Sequence, residues 1–147
     1  MTSSVVVRSA YLSDIPEILK LQQQAKTAAQ WSASEYERIV CKGGVLLIAE
    51  SDGTVSGFLA GSAVESEWEL ENIAVEQHMK RKGTGRLLLR HFLESARRAG
   101  ANKVFLLVRE DNAPARGLYE NAGFKVCGTR SRYYNEKDAI GYVLDFA

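Results

Sequence analysis

The stretch HMKRKGTGRLLLRHF, residues 78–92, constrains this chain more than any other. Lys80, Arg81 and Lys82 stand against Gly83 and Gly85, and the chain then turns apolar at helical spacing through Leu87, Leu88 and Phe92. Like charges repel, and glycine weakens a helix interior by about 1 kcal/mol relative to alanine. A bound anion would compensate for both. The first N–H groups of a helix have no intrahelical partner and carry partial positive charge, and glycine lets a phosphate approach that backbone closely. Upstream, WELENIAV (68–75) has the alternation of a strand, and the only acid between Ala74 and Glu94 is Glu76. Residues 80–86 therefore read as a diphosphate cradle between a strand and a helix. The spacing is neither the dinucleotide GxGxxG nor the GK[ST] ending of a nucleotide-triphosphate loop. Taken alone, it leaves open a solvated basic helix start with glycines for turn geometry.

The rest of the chain supplies alternating elements. VVVRSA (5–10) reads as a strand, and Ser13 and Asp14 before Pro16 read as a helix start. SASE (32–35) fits a capping box for a second helix through Val40, stopped by Gly43-Gly44. VLLIAE (45–50), the turn SDGT and VSGFLAGSA (55–63) read as a hairpin. After the cradle helix, which Gly100 stops, NKVFLLVRE (102–110) has the continuous apolar run of a strand buried on both faces. Asn112 caps a helix through about Asn121, and 124–134 and 139–146 close the chain as strands. The order β-α-α-β-β-β-α-β-α-β-β predicts one α/β domain over residues 1–147, with a mixed sheet and helices on its faces.

Composition narrows the class. At 46% hydrophobic and 25% charged the 147-residue chain is ordinary globular material, and a net charge of +1 gives no reason to expect nucleic acid. Cys41 and Cys127 stand apart with no paired histidine, so no metal site and a reducing, cytoplasmic setting are expected. No apolar run approaches the roughly 20 residues of a membrane span, and no signal peptide is read at the start.

Three motifs in order carry a resemblance. NIAV followed by KRKGTGRLLL resembles the acetyl-CoA signature [QR]-x-x-G-x-[GA] of the GNAT N-acetyltransferase superfamily, with Lys80 at the usual Gln/Arg position. VREDNAPARGLYENAGF (108–124) is similar to the second half of that fold. TRSRYYNEKDA (129–139) and WSASEYE (31–37) resemble its branch of RimI-type ribosomal-protein alanine N-acetyltransferases. The resemblance implies the GNAT fold: a single mixed, mostly antiparallel seven-stranded sheet flanked by about four helices. It implies that acetyl-CoA is the co-substrate. Ile73, Ala74 and Val75 would offer backbone groups to its acetyl and pantetheine part, and Arg81, Lys82, Gly83, Thr84, Gly85 and Arg86 would hold its diphosphate. Asn112 would bond the pantetheine arm, and Tyr119 would sit near the thioester sulfur. A plain N-cap for Asn112 and a half-buried core aromatic for Tyr119 are the bland alternatives.

Acetyl transfer needs a neutral amine, a polarised carbonyl and a protonated leaving thiolate. A protein α-amine titrates near 7.7–8, against about 10.4 for lysine, so a modest base suffices for it. A backbone N–H around Val75 could polarise the carbonyl, and the Tyr119 hydroxyl could protonate the sulfur. In the RimI-type branch a glutamate is expected on the strand after the cofactor helix, as in LEVR. Here the stretch is LLVR, and Leu107 cannot take a proton. The neighbouring strand offers Glu65, Glu67, Glu69 and Glu71, which share one face if the pleat holds. A solvated face accounts for Glu65 and Glu67. By resemblance, Glu69 stands where GNAT histone acetyltransferases carry a catalytic glutamate, and Glu71 where other members put a base or a water-holding group. Both would also attract an ammonium group. Arg130, Tyr133 and Tyr134 resemble the branch's substrate-side tail, with a strand-end aromatic cluster as the alternative.

The expected enzyme is a monomeric cytoplasmic acetyltransferase acting on a protein N-terminal α-amine. The resemblance points to the N-terminal alanine of a small-subunit ribosomal protein, with no nucleic-acid or membrane partner. A GNAT enzyme for a small amine or a lysine, and a non-catalytic acyl-CoA sensor, remain as alternatives. Convergence of Glu69 and Tyr119 on one pocket would discriminate against the sensor.

Overall fold

Alternation of apolar and polar residues along the strands fixes which face each side chain takes, and the sheet is built on that rule. The computed structural model of the chain describes residues 5–25, 28–76, 83–134 and 137–146, and of Arg132 and Tyr134 the backbone alone. Its elements are β1 (Val5–Ser9), α1 (Ile15–Gln24), α2 (Ala33–Cys41), β2 (Val45–Ser51), β3 (Thr54–Val64), β4 (Glu67–Val75), α3 (Thr84–Arg98), β5 (Lys103–Arg109), α4 (Ala113–Asn121), β6 (Lys125–Tyr134) and β7 (Lys137–Asp145). The strands form one seven-stranded sheet in the order β1-β2-β3-β4-β5-β7-β6. Every neighbouring pair is antiparallel except β4 and β5. This is the seven-stranded, four-helix fold that the sequence resemblance implies.

Two cores lie on opposite faces. On one, Leu88, Leu89, Phe92 and Ala96 of α3 and Tyr119 of α4 pack with Leu59, Trp68, Leu70, Val104, Leu106, Val108 and Tyr142 of the sheet. On the other, Ile15, Ile18 and Leu21 of α1 and Tyr36 of α2 pack on Leu46, Ile48, Phe58, Ala60 and Ala74. The α1–α2 layer covers β2, β3 and the far half of β4, and β5 lies outside it. Val104, Leu106 and Val108 of β5 are buried against the α3 side, while Phe105, Leu107 and Arg109 on the other face are only half-buried. The apolar run of β5 thus has one covered face, not two. The sequence reading missed this because Phe105 and Leu107 are apolar without being enclosed.

Local chemistry sets the helix ends. Ser32 and Glu35 close the expected capping box, with the Ser32 hydroxyl accepting from the Glu35 N–H at 3.3 Å and the Glu35 carboxylate accepting from the Ser32 N–H at 3.1 Å. α1 starts where expected, with Asp14 as its N-cap residue and Pro16 in its first turn, but the Asp14 side chain does not cap it. Leu12–Asp14 form a single 3₁₀ turn, and the Asp14 carboxylate turns back to accept the Tyr11 N–H at 2.7 Å instead of capping α1. Arg8 draws it there, donating to both carboxylate oxygens at 2.8 and 3.0 Å while also bonding Glu50.

Candidate active site where β4 and β5 part

The β4–β5 ladder is short. Glu67, Trp68, Glu69 and Leu70 pair with Lys103, Val104, Phe105 and Leu106, and the register goes no further. Beyond it the two strands diverge, each still paired on its other side, β4 to β3 and β5 to β7. The Glu76 N–H bonds the Ser56 carbonyl on β3 at 2.8 Å. Because strand backbone groups alternate in direction, Val75 and Ile73 turn theirs toward the gap. Ala74 turns its backbone toward β3, and its side chain is buried in the α1–α2 core. Of the three residues expected to face a thioester through their backbone, two are oriented for it.

A β-bulge shapes the same stretch. The β3–β4 register slips between Ala60 and Gly61, which pair with Asn72 and Leu70, so Glu71 is the extra residue. The pleat therefore does not hold throughout. Trp68 and Leu70 face α3, Glu71 and Asn72 both take the opposite face, and Ile73 returns to the α3 side. Gly61 makes the close approach possible: a Cβ there would stand 2.6 Å from the Glu69 carbonyl oxygen and 2.7 Å from Phe92.

The glutamates divide accordingly. Glu65 sits in the β3–β4 turn with a positive φ of 52°, and Glu67 is exposed at the start of β4. Glu69, with Ser62, Glu67 and Phe105, lines an open groove on the face that α1 and α2 leave uncovered. Glu71 lies by Ser62 and Glu69. Although the residue as a whole is exposed, desolvation pushes its carboxyl above the ordinary value; the charge of Glu69 acts in the same direction, and the Ser62 hydroxyl partly opposes it. Ser62 and Phe105 were not singled out from sequence, since a serine and a phenylalanine in strands carry no chemical signal of their own.

Across the gap the same face turns basic. Arg109 and Arg130 both register with Ala139 of β7, so their side chains share this face. Arg109 pairs with Asp111 at 3.0 Å, and the Arg130 guanidinium lies 5.7 Å from the centre of the Tyr133 ring. Leu107, at the position where a glutamate was expected, neighbours Gly141 between the acidic and basic sides. Tyr134 pairs with Lys137 through the backbone ladder; its side chain is outside the described residues.

The cradle is described from Gly83 on; Lys80, Arg81 and Lys82 lie outside the described residues. Gly83 is the N-cap of α3 with φ 82°, a left-handed conformation that favours glycine, and it offers no capping side chain. No acid lies in the first turn. Thr84 is buried and, among the described residues, its hydroxyl has no hydrogen-bond partner. A Cβ on Gly85 would stand 3.7 Å from Leu118 and 3.8 Å from Val75, so the glycine keeps open the space where β4, α3 and α4 converge. Arg86 is exposed beside it. Helix-start N–H groups with no capping side chain, a buried hydroxyl without a partner among the described residues and a glycine-lined space fit an anionic group at this helix start.

Asn112 caps α4, its carbonyl accepting the Ala115 N–H at 3.3 Å. Tyr119 is 3% exposed on the α3 side, its ring centre 5.8 Å from that of Phe124 and 6.3 Å from that of Tyr142. Glu69 and Tyr119 thus occupy opposite faces of the sheet and do not line one groove among the described residues. Glu69 lies on β4 beside the end of its ladder with β5, and Tyr119 lies on α4. Among the described residues no cluster of three or more His, Cys, Asp or Glu could hold a metal, and no helix is long and apolar enough to cross a membrane.

Comparison with known proteins agrees with this geometry. Residues 14–124 match the family model described as Acetyltransferase (GNAT) family. The chain is 30% identical over 132 residues to the [ribosomal protein bS18]-alanine N-acetyltransferase of Escherichia coli K12, covering 90% of this chain and 88% of the relative. The crystal structure of the ribosomal-protein-S18-alanine N-acetyltransferase from Escherichia coli superposes with a TM-score of 0.90 at 29% identity, covering 98% of this chain and 95% of that one. YncA, a putative acetyltransferase of Salmonella typhimurium solved with its cofactor acetyl-CoA, shares the fold at a TM-score of 0.82 and 20% identity, covering 97% of this chain and 94% of that one. The parted strands, the glycine-started helix and the family match lead to one conclusion: this chain belongs to the GNAT acetyltransferase family and is an N-acetyltransferase.

Proposed function

We propose that the protein transfers an acetyl group from acetyl-CoA to the N-terminal α-amine of a protein, an N-terminal alanine of a small-subunit ribosomal protein being the leading acceptor. The observation that carries this reading is the acidic, uncovered sheet face beside the gap between β4 and β5. It offers an ammonium group two neighbouring carboxylates, Glu69 and Glu71, the first of which lines an open groove that Phe105 of β5 also borders. The likeness to enzymes named for ribosomal protein bS18 supports the choice of acceptor.

Acetyl-CoA would supply an acyl carbon activated as a thioester. Gly83, Thr84, Gly85 and Arg86 would hold its diphosphate, and Arg81 and Lys82 would add charge. Asn112, at the start of α4, is proposed to border the pantetheine arm. The N–H groups that Ile73 and Val75 turn into the gap would draw electron density from the carbonyl. Glu71, held above the ordinary carboxylate value, would take the amine's proton, with Glu69 drawing the ammonium form toward it. The Tyr119 hydroxyl would protonate the departing sulfur. Arg130, Tyr133 and Tyr134 would flank the acceptor beyond its first residue. Because an α-amine is far closer to neutral than a lysine at pH 7, a carboxylate base suits it.

The test offers the purified enzyme labelled acetyl-CoA with a peptide beginning in alanine, the same peptide with its α-amine blocked, and a peptide whose only free amine is a lysine. Labelling of the first alone is expected. Labelling of the lysine peptide at a comparable rate would overturn the choice of acceptor, and binding of acetyl-CoA with no turnover on any amine would favour the sensor.

A further inference from the structure

Asn72, one residue beyond Glu71 and 4% exposed, has a task that the acetyl-transfer chemistry does not use. Its side-chain carbonyl accepts the Ala29 N–H at 3.1 Å, and its amide nitrogen donates to the Ala29 carbonyl at 3.0 Å. One side chain thus satisfies both backbone groups of a residue 43 positions away, as a neighbouring strand would. The same nitrogen donates to the Tyr36 hydroxyl at 3.0 Å, and that hydroxyl donates to the Gln22 side-chain carbonyl. Gln22 in turn accepts the Trp31 N–H at 3.2 Å and donates to the Trp31 carbonyl at 2.6 Å. Tyr36, Gln22 and Asn72 are all buried.

This network holds the connection between α1 and α2, residues 28–31, at two points, one from β4 and one from α1. The bulge at Glu71 makes the first possible, because it puts Glu71 and Asn72 on the same face of the sheet. Asn72, which fixes this segment, and the Glu69–Glu71 pair therefore share that face and one strand. We infer that Asn72 is a positioning residue: it clamps residues 28–31 as the wall of the acceptor groove and so sets acceptor affinity without touching the cofactor. The inference rests on the proposed acceptor face. Buried polar groups that satisfy one another this completely specify one arrangement, because any alternative leaves an unpaired donor or acceptor.

The experiment compares wild type with Asn72→Leu, close in size but without hydrogen bonds, and with Tyr36→Phe, which leaves both Ala29 bonds in place. Acetyl-CoA affinity, kcat, the KM of the acceptor amine and the exchange rate of the Ala29 amide are measured. For Asn72→Leu, Ala29 exchange about 10-fold faster or more and acceptor KM raised about 10- to 100-fold are expected, with acetyl-CoA affinity and α3 amide exchange within about 2-fold of wild type and Tyr36→Phe showing the smaller KM change. Unchanged Ala29 exchange, faster Ala29 exchange with the acceptor KM unchanged, or cofactor affinity lost in parallel with acceptor affinity would overturn the inference. Should Asn72→Leu fail to fold, Asn72→Ser, polar but too short to reach both Ala29 groups, takes its place: the same rise in Ala29 exchange and in acceptor KM is expected, and the same results would overturn the inference. The Ala29 exchange rate needs no acceptor, so it judges the clamp even where no α-amine is acetylated and the acceptor assignment itself has failed.

Discussion

Glu71 lies against Glu69 on the uncovered face of the sheet, while Leu70 between them in sequence is buried on the other. The proton affinity of Glu71 is raised first by burial and then by that neighbouring charge. Acid–base chemistry near neutral pH favours a carboxylate so tuned. Glu71→Gln is expected to lower kcat by about 10²–10⁴-fold with acetyl-CoA affinity unchanged. Glu69→Gln removes one of the two causes of the shift, so the acid limb of kcat should move to lower pH, because Glu71 then loses its proton more readily. A limb that stays in place in Glu69→Gln, or survives in Glu71→Gln, would assign the titration elsewhere. The measurement is a kcat–pH profile at saturating peptide.

The orphaned Thr84 hydroxyl makes a separate prediction. Thr84→Val removes a buried polar atom that has no partner among the described residues and keeps the side-chain shape, so the free protein should be as stable or slightly more so. If the hydroxyl is reserved for the diphosphate, acetyl-CoA affinity should fall by about 10-fold, the size of one hydrogen bond. Thermal melting with and without acetyl-CoA separates the two effects.

Tyr119 is packed deeply enough that its ring and its hydroxyl need separate tests. Tyr119→Phe keeps the contacts with Phe124 and Tyr142, so stability should change little, while kcat should fall by about 10²-fold or more if the hydroxyl protonates the sulfur. An unchanged kcat would leave Tyr119 as core.

Gly61 carries the bulge. A methyl group there would press on the Glu69 carbonyl and the Phe92 ring, both held by the surrounding core. Gly61→Ala should destabilise by about 1–3 kcal/mol, the usual cost of overpacking, read from the urea midpoint, and should disturb Glu71 with it.

Arg8 and Asp14 tie β1 to the turn before α1. The guanidinium holds the Asp14 carboxyl below the ordinary carboxylate range. A depressed carboxyl contributes stability above its unfolded pKa, about 3.9, and loses it as pH falls through the folded value. Arg8→Met should therefore cost about 1.5–3 kcal/mol at pH 7, with the gap from wild type closing as the pH falls below about 4. Urea titrations of both proteins at several pH values measure it.

Much of this architecture is legible in the residues because it rests on local chemistry. The capping box at Ser32, the glycine stops and the alternation in β4 each follow from short-range rules, and the element order follows from them. The sequence was less explicit where a distant partner decides. Asp14 has the residue type of an N-cap, but Arg8 across the turn outcompetes the helix for its carboxylate. The run of β5 is apolar on both faces, yet whether a helix covers Phe105 and Leu107 is a matter of where α1 and α2 end. The bulge at Glu71 depends on Gly61 in the facing strand. Asn72 left a trace, a polar residue at an otherwise apolar position in NIAV, but its partner Ala29 has no side-chain signal at all.

A crystal structure with acetyl-CoA tests the central claim most directly. The account predicts the diphosphate against the backbone of Gly83–Arg86, the Thr84 hydroxyl engaged, and the thioester between Val75 and β5 where the two strands part. A cofactor lodged elsewhere, or one that leaves the β4–β5 gap empty, would contradict it.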